Sequence, residues 1–305
     1  MGGGRCHRDR RIAAAIRPQV LTAILIGAAT AGLRGHRAAA IGAIFSFAAQ
    51  PGDAATALSL TFENGNVLVS ARIDDTPMRL IVDTGGKGTL QLTAATLSRA
   101  HVDRKPDTVT RIDAIGNQYQ GSAFEVTELA IGDAVFRNVA GFLRGEAAGG
   151  VTGALPADGL LGMEFLRPYV ARFDYASGKL TLFQDDERDG AAIACRGRQI
   201  PVIAHPLRFW LSEATTDHGR FRLAWDSGAT YSLVSADAAR AAALPSEGDL
   251  DRTSSLLLGA GDFGPIDFVV LDLHVPQVDM LLGYNFFQRH VICFDGPLSI
   301  VTVVD

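Results

Sequence analysis

Two tripeptides in this 305-residue chain carry residue types that can do chemistry together. Asp83-Thr84-Gly85 closes the apolar run Leu80-Ile81-Val82, and Asp226-Ser227-Gly228 closes Leu223-Ala224-Trp225. Each sets a carboxylate at the end of strand-like text and follows it with a hydroxyl and a glycine. Two carboxylates brought into one site cannot both ionise cheaply, so they share a proton. One then acts as base toward a water while the other protonates a carbonyl oxygen or leaving amine, which is acid–base hydrolysis of a peptide bond.

The elements that would position these residues are also written twice. An Asp-(Ser/Thr)-Gly tripeptide arises by accident roughly 0.1 times in a chain of this length, and such tripeptides make ordinary turns. The downstream partners decide against that reading. Asp158-Gly159-Leu160-Leu161-Gly162-Met163-Glu164-Phe165 follows the first copy, and Asp279-Met280-Leu281-Leu282-Gly283-Tyr284-Asn285-Phe286 follows the second. The match runs on without a gap, Val170-Ala171-Arg172-Phe173-Asp174 against Val291-Ile292-Cys293-Phe294-Asp295. This is an internal duplication of two domain-sized halves, not a short solenoid period.

These motifs resemble those of the aspartic proteases, in both their retropepsin-like and pepsin-like branches, over roughly residues 56–305. That family carries an apolar-apolar-Asp-(Thr/Ser)-Gly loop and, later, an apolar-apolar-Gly that threads beside it. Here these are Ile81-Val82-Asp83-Thr84-Gly85 with Leu160-Leu161-Gly162, and Ala224-Trp225-Asp226-Ser227-Gly228 with Leu281-Leu282-Gly283. The resemblance implies an all-β, two-lobed acid-protease β-barrel fold with internal duplication, and a catalytic pair Asp83 and Asp226. It implies that Thr84 and Ser227 hold the two loops together by hydrogen bonds across the lobe interface. Gly85 and Gly228 allow a backbone approach that a larger residue would block. One departure stands out: pepsin-like enzymes usually place Ser or Thr after the Gly as a donor to the carboxylate, and here those positions are Gly86 and Ala229. Retropepsins tolerate Ala there. A β-hairpin flap that closes over substrate is also implied. Ile115–Gly121, with Gly116 and Tyr119, is the first-lobe candidate, and Leu258–Gly264, with Gly261, is its second-lobe counterpart.

Composition agrees with a folded, two-lobed protein. Apolar residues make up 48% and charged residues 20%, which excludes a disordered chain. The first fifty residues hold seven Arg and one acid, leaving 21 basic against 32 acidic residues in the remainder, a net of −11. An acidic body argues against a nucleic-acid partner. Arg5 to Arg17 precede an uncharged run from Pro18 to Leu33, and a second run spans Ala38 to Gly52. Residues 1–50 therefore read as a signal peptide or N-terminal membrane anchor, and the body as exported, periplasmic or secreted. The expected division is residues 51–186 for one lobe and 187–305 for the other, with the crossing near Gln184–Arg198. Cys195 and Cys293 are a disulfide or two buried thiols; spacing does not choose.

Along the chain, Asn64-Gly65 between two strand-like runs signals a hairpin. Short helices are expected at Ala94–Arg99 and Ala236–Ala242, and long hairpins over 108–143 broken at Gly116-Asn117 and Gly132-Asp133. Gly259-Ala260-Gly261-Asp262-Phe263-Gly264 matches a dinucleotide pattern literally, but strand-like text follows it where a helix is required. The seven His are scattered, with no His-Glu-x-x-His or Cys-x-x-Cys, so no metal and no cofactor is expected. No Gly-x-Ser-x-Gly elbow appears. The reading is a monomeric aspartic endopeptidase acting on polypeptide. Its alternatives are a catalytically silent peptide-binding protein of the same fold and a processing protease of narrow specificity.

Overall fold

The computed structural model describes residues 25–26, 55–113, 118–144, 157–245, 248 and 250–304. Apart from residues 25–26, the expected signal or anchor segment lies outside the described residues, as does Gly116. The first lobe runs β1 (Leu25–Ile26), β2 (Thr56–Glu63), β3 (Asn66–Ile73), β4 (Thr76–Val82), β5 (Leu90–Leu92), α1 (Ala94–Arg99), β6 (Arg104–Asp113), β7 (Gln118–Ile131), β8 (Ala134–Leu143), β9 (Gly159–Leu161), α2 (Met163–Leu166), β10 (Val170–Asp174) and β11 (Lys179–Phe183). A 3-10 turn at Asp185–Glu187 and α3 (Arg188–Ala194) follow. The second lobe runs β12 (Gly197–Pro201), β13 (Leu211–Thr216), β14 (Gly219–Trp225), β15 (Leu233–Ser235), α4 (Ala236–Ala241), β16 (Leu250–Arg252), β17 (Leu256–Leu258), β18 (Gly261–Asp262), β19 (Asp267–Leu271), β20 (Met280–Leu282), α5 (Tyr284–Phe287), β21 (Val291–Asp295) and β22 (Ile300–Val304).

The duplication seen in the sequence is a duplication of pairing. In the first lobe β4 runs parallel to β9, with Val82 opposite Leu161, and β9 pairs antiparallel with β5, which runs parallel to β8. In the second, β14 runs parallel to β20, with Trp225 opposite Leu282, and β20 pairs antiparallel with β15, which runs parallel to β19. The apolar runs explain why. Leu80, Ile81, Val82, Leu160 and Leu161 are wholly buried, and strands covered on both faces read as continuous apolar text. Local chemistry sets the connections. Asn64 and Gly65 take positive φ (50° and 79°) in the β2–β3 hairpin, as a two-residue primed turn requires. Thr93 and Ser235 cap α1 and α4 by accepting from Thr96 N–H and Ala238 N–H.

The lobes are joined by a shared sheet. The order β2-β11-β10-β21-β22-β12 sets β10 against β21, Ala171 opposite Phe294 and Arg172 opposite Cys293. Arg172 and Cys293 are equivalent positions of the repeat, so the pseudo-twofold axis passes between them. Above this sheet Phe173, Tyr175, Phe287, Phe294 and Trp225 pack ring on ring, from 5.5 Å (Phe173–Phe294) to 6.4 Å (Phe173–Tyr175) between centroids. One apolar cluster runs from Leu58 and Leu80 through Phe173 to Leu223 and Phe294, so the two lobes share a core. A disulfide joins Cys195, just past α3, to Cys293 on β21. Among the described residues no helix is long and apolar enough to cross a membrane.

Candidate active site

Each carboxylate is delivered by the parallel strand pair beneath it. Asp83 N–H donates to Leu161 O at 2.8 Å and Asp226 N–H to Leu282 O at 3.0 Å, extending β4–β9 and β14–β20 by one residue. A repeated aspartate at the head of each second motif clamps that pair. Asp158 Oδ2 accepts from Arg79 N–H and Oδ1 from the Arg99 guanidinium; Asp279 accepts from Arg222 N–H, Nε and Nη2. Burial would raise both aspartates, but these donors outweigh it and hold them below the usual carboxylate range.

The two loops interlock. Thr84 N–H donates to Ser227 Oγ at 3.0 Å, and Ser227 N–H donates to Thr84 Oγ1 at 2.9 Å. Each hydroxyl passes its own proton to the opposite strand, Thr84 Oγ1 to Trp225 O at 2.9 Å and Ser227 Oγ to Val82 O at 2.8 Å. All four bonds cross between the lobes and are buried, where hydrogen bonds are strong and an orphaned group is costly. The glycines beside them admit the opposite carboxyl. A Cβ on Gly85 would stand 2.5 Å from Asp226 Cγ, and one on Gly228 would stand 2.5 Å from Asp83 Cγ. The loops therefore bring Asp83 and Asp226 together face to face.

Both carboxyls are 0% exposed. Backbone N–H groups serve the inner oxygens: Gly85 to Asp83 Oδ1 at 2.9 Å, and Gly228 and Ala229 to Asp226 Oδ1 at 2.9 and 3.1 Å. Asp83 Oδ2 and Asp226 Oδ2 have no donor among the described residues. Two ionised carboxylates offer only acceptors, so a shared proton is what would satisfy these oxygens. The electrostatics agree. Burial first, then the charge of Asp226 and a hydrogen bond to it, push Asp83 well above the ordinary carboxylate range. Burial pushes Asp226 up to about 7, against the pull of the bond to Asp83 and of the backbone donors. The pair titrates as a unit, and burial delays loss of its first proton to well above the ordinary carboxylate range.

The missing hydroxyl after the first glycine has a steric reason. A Cβ on Gly86 would lie 2.5 Å from Asp83 Oδ2 and 2.7 Å from its Cγ, so no side chain fits there without moving the carboxyl. Ala229 carries a Cβ at the equivalent place in the second lobe and is fully enclosed. The glycines of the second motifs seat the loops from below. A Cβ on Gly162 would meet Gly88 O at 2.2 Å, and one on Gly283 would meet Tyr231 O at 2.4 Å. Met163 N–H and Tyr284 N–H donate to Gly86 O and Ala229 O.

Sequence reading missed the polar residue two places after each of these glycines. Glu164 Oε2 accepts from Gly88 N–H at 2.5 Å, and Asn285 Oδ1 accepts from Ser232 N–H and Oγ at 2.8 and 2.7 Å. Both pin the descending limb of a carboxylate loop, and their shared position in the repeat was the available signal. Tyr175, in the aromatic layer, was also missed. Burial first, then Tyr284 and the two aspartates, raises its phenol well above 10. Among the described residues no group of three His, Cys, Asp or Glu is arranged to hold a metal.

The flap expectations divide. Tyr119 lies on β7 opposite Arg111, at the turn end of the long β6–β7 hairpin, whose tip lies outside the described residues. The second-lobe assignment is corrected by register. Leu256–Leu258 pairs with the end of β13 (Ala214 opposite Leu258) as Leu129–Ile131 pairs with the end of β3 (Ala71 opposite Ile131). The turn at Gly259 is thus the counterpart of the turn at Gly132, and the two glycines share φ of 56° and 57°. Gly261, opposite Leu258, corresponds to the start of β8 and packs against Arg198 and Phe263, not at the tip of a flap.

Known proteins give the same outline. A model of the aspartyl protease family matches residues 69–165, the stretch that holds the first carboxylate loop and Leu160-Leu161-Gly162. No curated protein matches the chain. The crystal structure of an aspartic proteinase from Irpex lacteus superposes with a TM-score of 0.58, covering 82% of this chain and 97% of that one at 15% identity. At that identity the likeness is one of fold. The fold is that of an aspartic proteinase, and the first lobe carries the match to the aspartyl protease family.

Proposed function

We propose that the protein is an aspartic endopeptidase that hydrolyses peptide bonds with a water activated between Asp83 and Asp226. The observation that carries this is the pair of wholly buried carboxyls facing each other across interlocked loops, each raised toward neutrality. With one proton on the pair, the ionised carboxylate takes a proton from water as its oxygen adds to the substrate carbonyl carbon. The protonated carboxyl gives its proton to the carbonyl oxygen, forming a tetrahedral diol. Collapse of the diol breaks the C–N bond: the protonated carboxyl gives its proton to the departing nitrogen while a diol hydroxyl gives one to the other carboxylate, leaving the pair with one proton again. Thr84, Ser227, Gly85 and Gly228 hold the geometry and transfer nothing.

The substrate would be extended polypeptide bound through its backbone. One chain supplies both carboxylates, so a monomer suffices. Export, with residues 1–50 as signal or anchor, is supported by the Cys195–Cys293 disulfide, a bond that persists in oxidising compartments. The test is cleavage of unfolded casein from about pH 3 to 7, with the raised pair placing the single-proton state toward the upper end of that range. Wild-type activity that vanishes in Asp226→Asn and is blocked by a statine-type inhibitor supports the mechanism. Activity that survives Asp226→Asn refutes it.

A further inference from the structure

One difference between the lobes near the carboxylates is a charge. Arg144 follows β8, and its N–H donates to Leu92 O at 2.8 Å, one residue beyond the Leu92–Leu143 pair. In the second lobe the N-cap Ser235 stands where Thr93 stands in the first, so Val234 corresponds to Leu92. Val234 lies opposite Val270 as Leu92 lies opposite Leu143, which makes Leu271 the counterpart of Arg144. One lobe thus carries a guanidinium where the other carries a half-buried leucine packed against Val269 and its neighbours.

Arg144 stands close to the Asp83 loop. Side chains two apart on a strand share a face, and the Phe142 ring lies against Gly88, where a Cβ would meet it at 2.4 Å. The next residue back, Leu143, sets its carbonyl against Gly121, which faces Val109 in the β6–β7 hairpin and where a Cβ would meet that carbonyl at 2.2 Å. Arg144 therefore sits in the corner between the Asp83 loop and that hairpin. It is half-buried, its Nη1 is enclosed, and its charge acts on Asp83. A guanidinium has five N–H donors, enough to serve the protein and a ligand carboxylate together. An anion beside a carboxylate pair needs a local cation to be tolerated.

On the reading of this site as a peptidase, we propose that Arg144 is a specificity-determining residue that selects a substrate with Asp or Glu on one side of the scissile bond, while Leu271 favours an aliphatic residue on the other. The geometry makes the preference one-sided, because the duplicated position in the second lobe carries no charge.

Binding tests this without turnover. Statine-containing peptides carrying Glu, Gln or Leu beside the statine, on each side in turn, are titrated calorimetrically into the full-length protein at about pH 5.5, where Glu is ionised. In the wild type Glu should bind roughly tenfold or more tightly than Gln on one side only. Arg144→Gln should bring that ratio to one or below while the Leu peptide keeps its affinity, and Arg144→Lys should keep part of it. Equal wild-type affinity for Glu and Gln on both sides, a ratio unchanged in Arg144→Gln, or no binding of any peptide overturns the proposal. Casein cleavage by the same preparation separates such a failure from failure of the peptidase reading.

Discussion

Asp226→Asn should stabilise the fold, and by an amount that grows with pH. In the unfolded chain Asp226 loses its proton near 3.9, whereas in the folded pair it does so at about 7. Below about pH 4 the group is protonated in both states and contributes nothing to the balance. Between about pH 4 and 7 the unfolded chain has released a proton that the fold still holds, so stability is lost as pH rises, and the loss is complete near 7. A rise from 3.8 to about 7, at about 1.4 kcal/mol per pH unit, makes that loss roughly 4 kcal/mol. An asparagine does not titrate, and its amide can donate to Asp83, which also removes the mutual repulsion that raises Asp83. Urea unfolding of wild type and variant at intervals from about pH 4 to 7 measures the difference, and the exposed carboxylates common to both cancel in it. The variant's advantage should be smallest at pH 4 and larger by roughly 4 kcal/mol at pH 7. An advantage that is flat or shrinks across this range would refute the account of a buried pair sharing one proton.

Three further outcomes follow from the same geometry. Thr84→Val and Ser227→Ala should each cost about 2–4 kcal/mol in urea unfolding, since each removes two buried bonds. The double variant should cost at least about 1 kcal/mol less than their sum, because the bonds are reciprocal; additivity would mean the loops do not hold one another. Gly86→Ser, although it introduces the hydroxyl usual in pepsin-like enzymes, should lower kcat/KM roughly tenfold or more by displacing Asp83, and Ala229→Ser should lower it less. Equal or improved activity in Gly86→Ser would show that Asp83 yields without cost. Replacing Cys195 and Cys293 together by alanine opens a loop with a sequence separation of 98 residues. That change should cost about 4–5 kcal/mol and lower Tm by roughly 10 °C, and an unchanged calorimetric Tm would rule out the bond as a contributor.

What could be read in the sequence was whatever the duplication repeats. The Asp-Thr-Gly and Asp-Ser-Gly loops, the Leu-Leu-Gly partners, the Asn64-Gly65 hairpin and the two capped helices each depend on a few adjacent residues, and both halves spell them out. What depends on long-range register was hidden. Gly259 to Gly264 is as rich in glycine as a flap tip, and only the pairing of β17 with β13 shows that it belongs to a different hairpin. Gly86 appears as a lost donor until the carboxyl that fills its place is known. Arg144 stands in a Gly- and Ala-rich stretch where one more charge carries no pattern, and its importance arises from packing alone.

The pseudo-axis shows where duplication had to be broken. A perfect repeat would set like against like at its centre, either two guanidiniums or two thiols. Instead Arg172 and Cys293 face each other, and both reach the same point of the crossing segment. Arg172 Nε donates to Ala194 O at 3.2 Å and its Nη1 to Asp174 at 3.0 Å, while Cys293 bonds the next residue along, Cys195. The end of α3 is thereby fastened to both halves of the shared sheet, one strand from each lobe. The carboxylate loops are rooted in those same lobes and meet through the four Thr84 and Ser227 bonds and the carboxyl pair itself. Small rotations between lobes would act directly on the separation of Asp83 and Asp226. A crossing segment held from both sides of the axis resists that rotation, so the asymmetry at the centre of the fold preserves the symmetry at its site.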